Sequence, residues 1–218
     1  MGKTLKRPVK TLLISMISGL ILSACENAQN TYGGAGSAEP MLEALAAPSG
    51  ADAAAEFIDQ TGEKIGHAVL ANAPGAGVLI RVDLKNLSQG WHAIHLHRIG
   101  DCADFETGFQ ASGGHVNPDD NEHGLLNPNG SERADMPNIY AGADGRATAA
   151  IFNNSIALYP SEAAAAEAGP YPLMDEDGFA IIVHAGADDH VTQPIGGAGA
   201  RVACAAFHSA QTTMSSQE

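Results

Sequence analysis

Five histidines and an aspartate stand in a fixed order along a chain that otherwise reads as strands and loops. His95 and His97 flank Leu96, and His115 sits inside Gly113-Gly114-His115-Val116-Asn117-Pro118. His123-Gly124 and Asp135 follow, and His184 lies far downstream, just ahead of Ala185-Gly186-Ala187-Asp188-Asp189. Imidazole is the usual nitrogen ligand of copper and zinc, and a carboxylate is a common further ligand of zinc. One chain offering this many donors can build two adjacent metal sites. Redox metal chemistry is the leading reading.

Strands must carry these donors. Gly77 to Leu84 alternates, with Val78, Ile80, Val82 and Leu84 on one face and Arg81 and Asp83 on the other. Trp91 to His97 alternates as well, so Ile94 and Leu96 enter a core while His95 and His97 face outward together, about 7 Å apart along one face. Residues 100–145 hold almost no periodic segment and many turn residues. A stretch that long in a compact domain needs something to tie it down, such as a disulfide and a bound metal. Strands are expected again at 147–152, 179–184 and 201–207, with a short alanine-rich helical insertion between Ser161 and Gly169. Before 77, antiparallel β signals begin near Ala54.

Composition narrows the class. The chain has 218 residues, 44% of them hydrophobic, with 25 Gly and 11 Pro, which suits one loop-rich domain with a real core. Its formal charge is −14. Residues 1–24 contribute Lys3, Lys6, Arg7 and Lys10 and no acid, so without them seven of the 11 basic residues remain against 25 acids, or −18. Such acidity argues against nucleic acid or anionic lipid head groups as partners.

The N-terminal segment reads as a targeting signal: a basic stretch, then a 14-residue apolar run from Thr11 to Ala24. That is shorter than the roughly 20 residues of a membrane span. Leu22-Ser23-Ala24-Cys25 resembles a bacterial lipoprotein signal, in which Cys25 becomes the lipidated first residue; the alternative is an ordinary signal peptide with a chance cysteine. The division expected is a signal at 1–24, a lipidated Cys25 with a flexible tether through 51, a domain at 52–208 and a disordered tail at 209–218. Setting Cys25 aside leaves Cys102 and Cys204, either an oxidised pair or two free thiols.

Several segments together resemble the copper/zinc superoxide dismutase family of bacterial type. They are Trp91 to His97 with Gly100-Asp101-Cys102, Gly113 to Pro118 with His123-Gly124, and Asp135-Met136-Pro137-Asn138. Val183 to Asp189 with Thr192-Gln193-Pro194, and Gly199 to Cys204, complete the series across residues 52–208. The resemblance implies an all-β Greek-key barrel, a flattened sandwich with long metal-binding and electrostatic loops. It implies copper on His95, His97, His115 and His184, zinc on His115, His123 and Asp135, and a disulfide between Cys102 and Cys204. Asp188 falls where the family places a carboxylate joining His95 to His123, and Arg201 where it keeps a substrate-attracting arginine. The implied activity is disproportionation of superoxide, with His115 taking up a proton for the peroxide, in a lipid-anchored periplasmic protein that is a monomer or a homodimer.

Glu132 departs from the pattern, standing where the family usually has a third zinc histidine. It either ligates zinc through oxygen or is a solvated residue beside a weakened site. His92 is expected to make structural hydrogen bonds near the site, Asp119-Asp120 to be solvated, and His67, His190 and His208 to lie on the surface or in loops, where the border of the substrate channel is a further reading for His190. A catalytically silent copper/zinc-binding module of the same fold is the alternative function. A copper-delivery protein would need an added cysteine transfer motif, which the chain lacks.

Overall fold

The alternation of hydrophobic residues closes into a barrel. In a computed structural model describing residues 51–73, 76–161 and 169–209, the strands are β1 (Ala53–Asp59), β2 (Lys64–Ala73), β3 (Gly77–Leu84), β4 (Gly90–His92) and β5 (Ile94–His97). They continue with β6 (Ile139–Ala141), β7 (Ala147–Asn153), β8 (Ile156–Ala157), β9 (Tyr171–Pro172), β10 (Phe179–His184) and β11 (Arg201–Phe207). The expectations for residues 1–50, for the alanine-rich insertion and for the tail fall on, or almost wholly on, residues outside those described. Among the described residues, no helix is long and apolar enough to cross a membrane.

Seven strands form one antiparallel sheet in the order β5-β10-β11-β1-β2-β3-β7. β1-β2-β3 and β10-β11 are neighbours in sequence and in space, whereas β5 pairs with β10, β11 with β1 and β3 with β7 across long connections, as in a Greek key. The sheet curls, and a short ladder joins its two edges. β4 runs into β5, β6 turns into β7 through Gly142–Arg146, and β4 pairs with β6 through Trp91 and Tyr140. Inside lie Phe57, Leu70, Ile80, Leu84, Ile94, Leu96 and Phe179, each at most 1% exposed. Full burial of such a side chain contributes about 1.5–3 kcal/mol.

Strand β3 follows its pattern, with Val78, Ile80, Val82 and Leu84 all buried. Asp83 on the other face is also buried, paired with Arg146 at 3.1 Å. Strand β1 begins with three alanines, which have weak β propensity. Pairing with Leu70, Val69 and Ala68 of β2 sets its conformation.

The outer face of β10 and β11 is roofed. Ala180, Ile182 and Cys204 form a second apolar cluster with Phe109, and Ile58, Cys102 and Phe105 pack against it. The chain from Cys102 to Ser112 is that roof, and it explains why all six residues of β10 are buried. His95 and His97 do lie on the outer face, as alternation requires, yet they are 0% and 1% exposed because loops cover them. The long stretch 100–145 is held by backbone as well as by the disulfide. Val116 donates to Leu96 O at 3.0 Å, Ala134 to Val116 O at 3.1 Å, and bridges pair His97 with His115 and His95 with Asp135. Arg133 adds a staple: Nη1 donates to Ser155 O and Gly169 O, and the head pairs with Asp119. Asp119 is therefore an ion-pair partner and not merely solvated.

Ile80→Ala removes a fully buried side chain from the barrel centre. It is expected to lower the unfolding free energy of the metal-free protein by about 2–5 kcal/mol, read by urea denaturation. A change below the scatter of replicate curves would contradict this packing.

Candidate metal centre

Each histidine near the end of β5 and β10 is anchored through one ring nitrogen. His95 Nε2 lies 2.9 Å from Asp188 Oδ2, His97 Nδ1 2.9 Å from Gly113 O, and His184 Nδ1 3.1 Å from Gly199 O. All three partners are acceptors, so the anchored nitrogen carries the hydrogen and the other keeps a lone pair. Those other nitrogens, His95 Nδ1, His97 Nε2 and His184 Nε2, are buried and have no partner, and so is His115 Nε2. The ring of His115 lies 4.3 Å from that of His95 and 5.1 Å from that of His97. The rings of His95 and His184 are 5.0 Å apart.

Leaving a buried polar atom unsatisfied costs about 1–3 kcal/mol. Four together make sense only as a cation site. Burial, reinforced by neighbouring charge, pushes His184 down to about 3 and His97 well below its usual value. Burial also lowers His95, although Asp188 opposes it. These rings are neutral at pH 7, the form that binds metal.

A second cluster adjoins the first through His115. His115 Nδ1 is 2.5 Å and His123 Nδ1 3.4 Å from Glu132 Oε2, and His123 Nδ1 is 2.7 Å from Asp135 Oδ1. One donor atom from each of these four residues lies within 4.8 Å of all the others. Asp135 Oδ2 is committed to the backbone N–H groups of Gly124 and Glu132, at 2.8 and 2.9 Å, which turns Oδ1 toward the cluster. Oδ1 itself makes no aligned hydrogen bond despite its closeness to His123. Burial disfavours charge on His123, but its contacts with Asp135, Glu132 and Asp188 outweigh that and raise it to about 10. The same histidines hold Glu132 down at about 2 against the effect of burial. Without an ion the second cluster is thus a charged pair, and a divalent cation would take the place of the proton.

The family described as copper/zinc superoxide dismutase matches residues 65–207. The chain belongs to the copper/zinc superoxide dismutase family. A relative from Caulobacter vibrioides, named a copper-zinc superoxide dismutase, is 46% identical over 144 residues, covering 66% of this chain and 78% of its own. The crystal structure of a superoxide dismutase-like protein from Bacillus subtilis matches with a TM-score of 0.62 at 30% identity, over 70% of this chain and 96% of that one. The Brucella abortus copper/zinc superoxide dismutase matches with a TM-score of 0.54 at 27% identity, over 70% and 97%.

Against the family pattern, Asp188 joins the two clusters: its second oxygen is 3.1 Å from His123 Nε2. Cys102 and Cys204 are bonded. Arg201 opens β11, and its charge reaches His97 and His184. Glu132 is not a solvated side chain. It is 11% exposed, and Asn117 Nδ2 donates to its other oxygen at 3.0 Å. His92 bridges His184 O at 2.7 Å and Ser88 O at 2.8 Å.

His190 lies in the loop between β10 and β11, as expected, and is tied into the site. Its backbone N–H donates to Asp188 Oδ1 at 2.6 Å, and its ring lies between Asp188 and Asn138. His67 sits within β2 between Glu56 and Asp83 of the flanking strands, and its Nε2 is buried without a partner. Asn138 takes the N–H of Asp188 and donates to its carbonyl, both at 2.8 Å, a role sequence reasoning did not assign. Its only sequence signal was membership of the Asp135-Met136-Pro137-Asn138 segment. Cys25 lies outside the described residues.

If these four residues hold one ion, Glu132→Ala loaded with limiting zinc retains it at least about tenfold less tightly. Metal analysis after dialysis against a chelator reads this. Unchanged zinc retention would remove Glu132 as a ligand.

Proposed function

We propose that this chain is a superoxide dismutase, converting two superoxide anions and two protons into dioxygen and hydrogen peroxide. The observation that carries this reading is a set of four buried, unpartnered imidazole nitrogens beside Arg201, those of His95, His115 and His184 within 4.8 Å of one another and that of His97 next to them. Copper fits an all-imidazole donor set, held through His95 Nδ1 and through Nε2 of His97, His115 and His184. When bound, it supplies one-electron oxidation and reduction. His115 Nδ1, His123, Asp135 and Glu132 fit zinc, which has no redox chemistry of its own.

The chain's own residues supply the rest. A charge of −18 on residues 25–218 repels an anion at long range, so a local positive field must act close in. Arg201 provides it. His115 Nε2, when it is not ligating metal, can hold a proton and release it to the product, while its Nδ1 side is fixed against Glu132. Asp188 holds His95 and His123 each in a single tautomer, the usual second role of a carboxylate behind a ligating imidazole.

The likeness to a Bacillus subtilis protein described as superoxide dismutase-like gives some support to the second reading, a catalytically silent metal-binding module. Disproportionation of superoxide by copper- and zinc-loaded protein separates the two. Activity is expected, lost in His184→Ala and reduced about tenfold in Arg201→Gln. Absence of activity at full copper occupancy, or activity untouched by His184→Ala, leaves the silent module.

The Leu22-Ser23-Ala24-Cys25 sequence supports an envelope protein carried on a lipidated Cys25. Mass spectrometry of the membrane fraction is expected to find a diacylglyceryl group on that cysteine. A processed chain lacking it would leave the protein unanchored.

A further inference from the structure

Arg201 is oriented by one short turn. Its Nη1 donates to Phe109 O at 2.7 Å and to Ser112 Oγ at 3.1 Å, and its Nη2 to Gly113 O at 2.9 Å. No carboxylate among the described residues pairs with it directly. The same turn anchors His97 through Gly113 O. It is an irregular piece of chain: Phe109 is fully buried with φ of 58°, and Ser112 closes back on Phe109 O through both its N–H and its hydroxyl.

The disulfide fixes this loop at Cys102, seven residues before Phe109. Asp104 connects the two. Its Oδ2 accepts from Ala111 N at 3.1 Å and Thr107 Oγ1 at 3.0 Å. Its main-chain oxygen accepts from Thr107 N at 2.9 Å and Phe109 N at 3.3 Å. Its Oδ1 is buried with no partner at all. A carboxylate with one oxygen left bare in the interior is costly to keep. The reaction as described gives it no role.

We propose that Asp104 is a positioning residue for Arg201: it ties residues 107–111 to the disulfide-anchored start of the loop and so sets where the guanidinium meets an anion at the metal centre. This rests on the reading of Arg201 as the anion-binding group. Asp104 and Arg201 grip the same turn, the first through the N–H of Ala111 and the second through the carbonyls on either side of it, Phe109 and Gly113. Loss of the Asp104 contacts frees the turn, and the guanidinium moves with it. The negative charge of Asp104 also offsets part of what burial does to Arg201, whose pKa burial lowers.

Azide, a singly charged anion, is titrated against the visible absorption of copper(II)-loaded protein at matched copper content. Asp104→Ala is expected to weaken azide about fivefold and to lower the superoxide rate in parallel. Asp104→Asn keeps an oxygen for Ala111 and loses the charge, so it holds azide at or above the parent affinity. In an Arg201→Gln background, Asp104→Ala changes neither quantity. Thr107→Val deletes one donor to the same carboxylate without touching its charge and weakens azide in the same direction; it serves where Asp104→Ala does not load copper. Azide affinity unmoved by both Asp104→Ala and Thr107→Val overturns the proposal, as does an equal loss in the Arg201→Gln background. Azide binding needs no turnover. A protein inactive toward superoxide that keeps this azide response rejects the activity and retains the positioning role.

Discussion

The carboxylate of Asp188, buried between two imidazoles, is the interaction on which the arrangement of the centre depends. By accepting from His95 Nε2 and His123 Nε2, it forces both rings to present their Nδ1 atoms elsewhere. Those Nδ1 atoms belong to different clusters, so one acid fixes the donor side of two sites. Its own position is over-determined: Asn138 clamps its backbone, and His190 closes over both oxygens. At Gly196, an added Cβ would fall 1.6 Å from its oxygen. The chain therefore keeps glycine there at a φ of 61°.

The barrel explains why such a polar assembly can be buried at all. Its strands turn one face inward to an apolar core, which leaves the other face free to carry imidazoles. A second, smaller apolar cluster then seals that outer face under the loop from Cys102. The rings lie in a low-dielectric layer between barrel and roof, where unprotonated nitrogen is favoured. The disulfide holds the roof at Cys102, and backbone bridges to β5 hold His115 and Asp135 beside it.

Much of this was legible in the sequence, and for identifiable reasons. The candidate metal-binding residues are chemically rare and fall within short motifs, so His95, His97, His115, His123, Asp135 and His184 stood out without any knowledge of the fold. Strand β3 was legible because strict alternation has one simple explanation. Strand β1 was legible only as a β signal beginning near Ala54, without bounds, since its alanines take their conformation from cross-strand partners. The burial of His95 and His97 was hidden for a related reason: alternation reports which face a residue is on and cannot report what later covers that face. The contacts of His190 and Asn138 were not legible because they are made with each other, 52 residues apart, and with Asp188. Glu132 was ambiguous because a glutamate's sequence neighbours do not say whether its oxygens meet water or imidazole.

The two clusters differ in what carries them. Three of the four histidines of the first cluster lie in regular strands, His95 and His97 in β5 and His184 in β10. All four residues of the second, His115, His123, Glu132 and Asp135, sit in irregular chain between β5 and β6. The first cluster therefore shares the cooperative unfolding of the barrel, whereas the second can be lost by a local opening of lower free energy. The molecule has a built-in order of melting. Its bridging residue, His115, stands on the boundary between the part that opens early and the part that persists until the barrel itself comes apart.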